Sequence, residues 1–200
     1  MMTIFRITCI TVLIAAMGTG CRPAELQRKS EETTLSTTTN TSTMITQKIS
    51  PCLWVEKDAK AVVDYYLSVF KDGKLKEYHR YPNPPEAIEM GGLEYFETAL
   101  MEIAGMEFQI LAAGPYFTFN ESISFVINCA DQAEVDYYWN ALTAEGEESN
   151  CGWLKDKYGL SWQVVPVAYY ALINSDDPAV REKAMQGTMK QKKIILNELR

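Results

Sequence analysis

The sequence predicts an α+β fold in which two tandem βαβββ units form a curved mixed sheet with a cleft between them, followed by C-terminal helices. Three observations carry this expectation. The tetrapeptide Val63-Asp64-Tyr65-Tyr66 recurs as Val135-Asp136-Tyr137-Tyr138, 72 residues further on. Each copy sits on an amphipathic helix that follows an apolar strand. The first copy is followed by three strand candidates, two of them joined at Ala104-Gly105, which reads as a tight hairpin turn. A chain of 200 residues, 47% hydrophobic and 22% charged, suits one such domain with appendages, and excludes a multi-span membrane protein or a wholly disordered chain.

Residues 1–21 read as a signal peptide. Met1 to Arg6 is short and weakly basic, and the apolar run Ile7 to Met17 is well under the roughly 20 residues that a spanning helix needs. The run closes on Gly18-Thr19-Gly20-Cys21, which resembles the lipobox of bacterial lipoproteins, although Gly18 stands where Leu is usual. That resemblance implies lipidation of Cys21 as the mature N-terminus and a location in the bacterial cell envelope, outside the cytoplasm. Several acyl chains hold a protein to a membrane where one is marginal. An ordinary signal peptide cut nearby is the alternative. Residues 22–46 include the run Thr33 to Thr43, rich in Ser and Thr, which has almost nothing to bury and reads as a disordered tether.

The folded domain is expected over 47–200. In its first half, strand Ile49 to Val55 leads into helix Asp58 to Phe70, with the stripe Val62, Tyr65, Tyr66 and Val69 facing the core. Strands Gly73 to Tyr81, Glu97 to Ile103 and Met106 to Ala113 follow. The loop from Pro82-Asn83-Pro84-Pro85 to Gly91-Gly92 is long enough to form a rim or lid. In the second half, strand Ser122 to Cys129 leads into helix Asp131 to Thr143, with the stripe Val135, Tyr138, Trp139 and Leu142. Strands Glu147 to Leu154 and Leu160 to Pro166 follow, and one short strand is not placed. The tail Asn174 to Arg200 holds one or two helices. Ser175-Asp176-Asp177-Pro178 is a helix start, and the Lys190 to Lys193 cluster suits the far end of the dipole. Met185, Met189 and Ile194-Ile195-Leu196 give the tail an apolar side, which packs on the domain or across a homodimer interface.

Composition narrows the chemistry. A formal charge of −7 argues against nucleic acid as a partner. His79 is the one histidine, so no site in this chain holds two or three imidazoles. His79 shares a strand face with Glu77, Tyr81 and Leu75, and is a general-base candidate; a solvated edge strand explains the same pattern. Cys52, Cys129 and Cys151 are odd in number and read as small buried residues rather than a disulfide framework.

Ile49-Ser50-Pro51-Cys52-Leu53-Trp54 opens the first unit and the stretch Gly114 to Phe125 opens the second. Cys151 to Pro166, containing Asp156, Gly159 and Gln163, closes it. These motifs resemble the PhnB-like family, which carries the label 3-demethylubiquinone-9 3-methyltransferase and belongs to the vicinal oxygen chelate superfamily of glyoxalases, bleomycin-resistance proteins and dioxygenases. The resemblance spans about residues 47–200. Metal-dependent members of that superfamily place His or Glu on the first and last strands of each unit. The matching positions here are Ser50, Gln109, Ser122 and Gln163, a neutral set that lacks what a divalent ion requires, so no metal is expected. No Gly-rich strand-to-helix loop followed by an acidic residue is present to hold S-adenosylmethionine, and no other cofactor is implied.

Strand alternation puts Ser50, Cys52 and Trp54 on one face and Ile49, Pro51, Leu53 and Val55 on the other. Ser122, Ser124, Val126 and Asn128 likewise oppose Ile123, Phe125, Ile127 and Cys129. The apolar faces should meet the helices. Ser50, Cys52, Trp54, Gln109, Ser122 and Gln163 are then candidates to line a ligand-binding cleft, unless the Gln and Ser side chains satisfy one another in a closed interface. The function expected is metal-free binding of a small organic ligand. The alternative is an enzyme of the same superfamily, a lyase, isomerase or transferase of undefined substrate.

Overall fold

The computed structural model describes residues 47–200 apart from Met90; the expected signal peptide, Cys21 and the tether lie outside the described residues. The first unit comprises β1 (Cys52–Val55), α1 (Ala59–Val69), β2 (Lys74–Pro82), a short helix α2 (Pro85–Glu89), β3 (Tyr95–Ile103) and β4 (Met106–Ala112). The second comprises β5 (Ser124–Cys129), α3 (Gln132–Thr143), β6 (Glu147–Glu148), β7 (Trp153–Lys155) and β8 (Ser161–Pro166), followed by α4 (Val167–Ile173), α5 (Pro178–Thr188) and a 3-10 turn at Leu196–Glu198. The sheets have the same plan, β1-β4-β3-β2 and β5-β8-β7-β6. In each, the first strand runs parallel to the last and the remaining neighbours are antiparallel.

Local chemistry accounts for the starts and turns. Asp58 caps α1 by accepting from Ala61 N, and Asp131 caps α3 by accepting from Glu134 N, each satisfying a donor that the first turn leaves free. Ala104 and Gly105 both take positive φ, the geometry of a two-residue hairpin whose twist matches its strands. α5 begins with Asp177 as cap and Pro178 in its first turn.

The repeat is real, but its register is not that of the tetrapeptide. The two capping aspartates, Asp58 and Asp131, lie 73 residues apart. At that offset buried Val62, Tyr66 and Val69 fall on buried Val135, Trp139 and Leu142. The 72-residue match therefore aligns Tyr66 with Tyr138, which is only partly buried, and Tyr65 with exposed Tyr137. Between the opening strands β1 and β5 the offset is 74, since Cys52, opposite Gln109, corresponds to Val126, opposite Gln163. The cause is connector length: Glu56-Lys57-Asp58 separates β1 from α1, whereas only Ala130-Asp131 separates β5 from α3. The additional residue is accommodated by Asp58 in the left-handed region, at φ 57°, where Asp is among the better-tolerated side chains.

Three further expectations change. The strand expected over Glu147 to Leu154 is interrupted. It divides into β6 and β7 around a turn at Cys151 and Gly152, both at positive φ, whose N–H groups donate to Gln191 O and Lys192 O of the tail. The unplaced strand is thereby found. Helix α4 begins at Val167, directly after β8 and before the expected start of the helical tail at Asn174. The tail packs on its own domain, burying Ile194 and Leu199 against Val165, with Gln132 donating to Ile194 O and accepting from Leu196 N. Met185 and Met189 are exposed rather than apolar contacts.

The units share one core. Phe108 meets Phe125 edge-on at 5.0 Å, Phe70 lies 5.5 Å from Trp162, and the Tyr66 hydroxyl donates to Asp156 at 2.8 Å. Asp156, 3% exposed, also accepts from Trp162 Nε1, Tyr158 N and Leu160 N. Every element of that cluster is buried or half-buried, so α1 of the first unit is fastened to the closing strands of the second.

Candidate functional site

Each sheet turns one face to the helices and presents the other outward. On β8, Trp162 and Val164 are buried in the core while Gln163 between them is half-buried on the opposite face. On β4, Gln109 is exposed between buried Phe108 and Ile110. Gln109 Nε2 donates to Ser50 Oγ at 2.9 Å, and Gln163 Nε2 donates to Ser124 Oγ at 2.9 Å. The two contacts are equivalent: each serine precedes by two residues the position paired with the glutamine, Cys52 in the first sheet and Val126 in the second. The partner of Gln163 is thus Ser124. Ser122, the expected equivalent of Ser50, stands two residues earlier, exposed in the approach to β5. Aligning the units on their capping aspartates and connector lengths would have found Ser124.

Ser122 does join other candidates. With Cys52, Trp54, Phe119, Asn120 and Phe125 it lines a recess of about 410 Å³. Trp54 is held there by donating Nε1–H to Gly114 O at 2.8 Å, and Phe117 packs edge-on against its ring at 4.9 Å. Gln109 and Gln163 are outside the walls of this recess, so the six candidates divide among two Gln–Ser pairs and one aromatic pocket rather than lining a single cavity.

Among the described residues Cys52, Cys129 and Cys151 are free thiols. Cys129 is buried as expected and burial pushes it up to about 12, whereas Cys52 is exposed on the outward face, with partial burial raising it. Neither meets the low-pKa condition of a reactive thiolate. His79 is half-exposed on the outer strand β2, 3.7 Å from Glu77, in the edge position that its neighbours suggested.

The residues do not fit the metal that this fold implies. Hydroxyl and amide oxygens are neutral, and both serine hydroxyls already accept from the glutamine nitrogens. Among the described residues no three His, Cys, Asp or Glu side chains are grouped as a metal site. Nor does S-adenosylmethionine find a cradle of the nucleotide-binding kind: the connectors into α1 and α3 contain no glycine, and a carboxylate already caps each helix.

Two βαβββ modules with parallel outer pairs and equivalent polar positions on their outward faces define a glyoxalase-like protein of the vicinal oxygen chelate type. The chain belongs to the family described as 3-demethylubiquinone-9 3-methyltransferase, whose family model matches residues 47–165. Among solved structures it is similar to a putative 3-demethylubiquinone-9 3-methyltransferase, PhnB protein, from Bacillus cereus, at 28% identity and TM-score 0.52 over 60% of this chain and 99% of that one. It also matches protein PA1353 from Pseudomonas aeruginosa, at 19% identity and TM-score 0.45 over 60% and 97% of the two chains. A third match is the fosfomycin resistance protein FosX from Mesorhizobium loti, at 12% identity and TM-score 0.43 over 61% and 92%. Among curated protein sequences no relative is found.

Proposed function

We propose that this chain is an exported, lipid-anchored module that binds a small organic ligand on the outward faces of its two sheets without using a metal. The observation that carries the reading is the duplicated Gln–Ser pair. Two amides are held at equivalent places, half-buried or exposed, by one hydrogen bond each. A carboxamide has more donor and acceptor capacity than one such bond uses, so each pair keeps polar capacity for a ligand. The neighbouring Trp54–Phe117 corner offers aromatic surface beside it.

Native mass spectrometry of the purified full chain tests this reading. The expected spectrum has a co-purified organic molecule and no stoichiometric divalent metal, and chelator leaves the melting temperature unchanged. The double variant Gln109→Leu, Gln163→Leu keeps its fold, since each position loses one partly solvated hydrogen bond worth about 1 kcal/mol, and loses the molecule. Retention of the molecule by the double variant, or one tightly held transition metal per chain, would defeat the proposal.

Anchoring rests on Cys21 and the small residues before it. In a bacterial host Cys21→Ser should abolish acyl labelling and move the protein from the membrane fraction to the soluble one; unchanged labelling would remove the lipid from the reading. A homodimer belongs to the same proposal, because Ile49 (88% exposed) and Val126 (44% exposed) leave apolar surface near both Gln–Ser pairs that a second copy would cover. Nucleic acid is not a partner in this reading, given the net charge of −7.

A further inference from the structure

Beside the Gln163–Ser124 pair, on the outward face of the second sheet, lies a recess of about 460 Å³ built by β6, β7, β8 and the approach to β5. We propose that it binds a monovalent organic ammonium ion. The inference rests on the reading that this face receives a small ligand, and names the chemical class.

The floor is Ser161. This residue is 1% exposed, and its Oγ has no hydrogen-bond partner among the described residues. Buried hydroxyls are nearly always satisfied, so an orphan at the bottom of a recess calls for a ligand atom or a water. The direction of the side chain follows from the strand: Trp162 faces the core, so Ser161 faces away from it, opposite Ser124 on β5 and Lys155 on β7.

The walls set the charge. Glu121, Glu147, Glu148 and Lys155 line the recess. Lys155 is paired with Glu121 at 2.5 Å, and Glu148 is paired with Lys192 at 3.3 Å. Glu147, opposite Lys155 in the β6–β7 ladder, feels that lysine's charge, yet its side chain has no hydrogen bond or ion pair of its own among the described residues. After pairing, one negative charge is left, which complements a monocation rather than a dication or an anion. Trp153, opposite Gln163 in the register, supplies an aromatic surface on which a cation or its apolar substituent can rest. An ammonium N–H donating to Ser161 Oγ, with its charge toward Glu147 and its substituent against Trp153, satisfies all three features.

Calorimetric titration of the full chain with benzylammonium chloride tests the proposal, with benzyl alcohol, benzoate and tetramethylammonium as controls. Benzylammonium should bind saturably at one per chain. Tetramethylammonium, charged but lacking an N–H, should bind at least tenfold more weakly, and benzoate not at all. Glu147→Gln and Ser161→Ala should each weaken benzylammonium at least tenfold. Ser161→Ala removes an unpaired hydroxyl and should not lower the melting temperature; should that variant misfold, the exposed Glu147→Gln carries the test alone. Absence of saturable binding, equal binding of benzoate, or wild-type affinity in a folded Glu147→Gln would overturn the assignment. The broader ligand reading is scored separately, by loss of the co-purified molecule in the double glutamine variant. If that loss occurs while benzylammonium fails to bind, only the ammonium class falls; if benzylammonium binds as described while the co-purified molecule is retained, the recess stands and the Gln–Ser proposal does not.

Discussion

Asp156→Ala is expected to lower the stability of the domain by about 3–5 kcal/mol, a large part of the roughly 5–15 kcal/mol available to a domain of this kind. The carboxylate accepts four hydrogen bonds, from the Tyr66 hydroxyl, Trp162 Nε1, Tyr158 N and Leu160 N, at 2.8 to 3.1 Å. Truncation leaves all four donors facing a cavity. Because one of them comes from α1 and the others from the second unit, the loss also loosens the junction between units. Asp156→Asn should cost less: its oxygen can keep both backbone donors, but the amide N–H₂ then opposes the indole N–H of Trp162. Urea denaturation ranks the three proteins, with wild type most stable and Asp156→Ala least.

The same residue has a pH signature. Burial raises Asp156 above its ordinary 3.8, outweighing the hydrogen bonds that pull it down. Between the unfolded and folded values the native state binds more protons than the unfolded chain, so this group's contribution is full below 3.8 and is lost as pH rises through the folded value. The stability gap between wild type and Asp156→Asn should therefore widen as pH is lowered from neutral toward 4, a trend opposite to that of an exposed, salt-bridged carboxylate such as Glu121. A gap that is constant or narrows over that range would contradict the argument.

Gly146→Ala is the second large effect. A Cβ at Gly146 would fall 2.1 Å from Lys155 O and 2.6 Å from Leu142 O, and both are backbone atoms that cannot swing aside. The end of α3 and strand β7 would have to separate, at a cost of about 3 kcal/mol or more. Gly105→Ala is the control. Its Cβ would meet nothing within 4 Å, and only the positive φ of 75° opposes it, so a loss of about 1 kcal/mol is expected. Equal denaturation midpoints for the two variants would show that close packing at Gly146 is relieved at little cost.

Much of the fold was legible because its causes are local. The stripes Val62, Tyr65, Tyr66, Val69 and Val135, Tyr138, Trp139, Leu142 record at helical spacing which side of each helix faces the core; all are buried in the structure except Tyr65 and Tyr138, which are half-buried. Asp58 and Asp131 mark helix starts, and Ala104-Gly105 marks a hairpin, through geometry confined to a few residues. The interruption between β6 and β7 was not legible, because the turn at Cys151 and Gly152 is held by Gln191 and Lys192, about 40 residues away. Nor was the surface exposure of Met185 and Met189, since an apolar side chain does not by itself say that another surface meets it.

The candidate site divides along the same line. Sequence alone determined that two related units exist, and the family resemblance singled out the neutral set Ser50, Gln109, Ser122 and Gln163, which it placed in one cleft. Tertiary structure decided the partners. Gln109 meets Ser50 across 59 residues of chain, and Gln163 meets Ser124 across 39. Which serine is reached depends on strand register: Ser124 stands two residues beyond Ser122 because the tetrapeptide match runs one residue short of the helix offset and the longer connector of the first unit adds one more. A tetrapeptide match can slip by one position without changing which residues look apolar. A ladder of backbone hydrogen bonds cannot, because a one-residue slip turns every side chain of the strand to the opposite face.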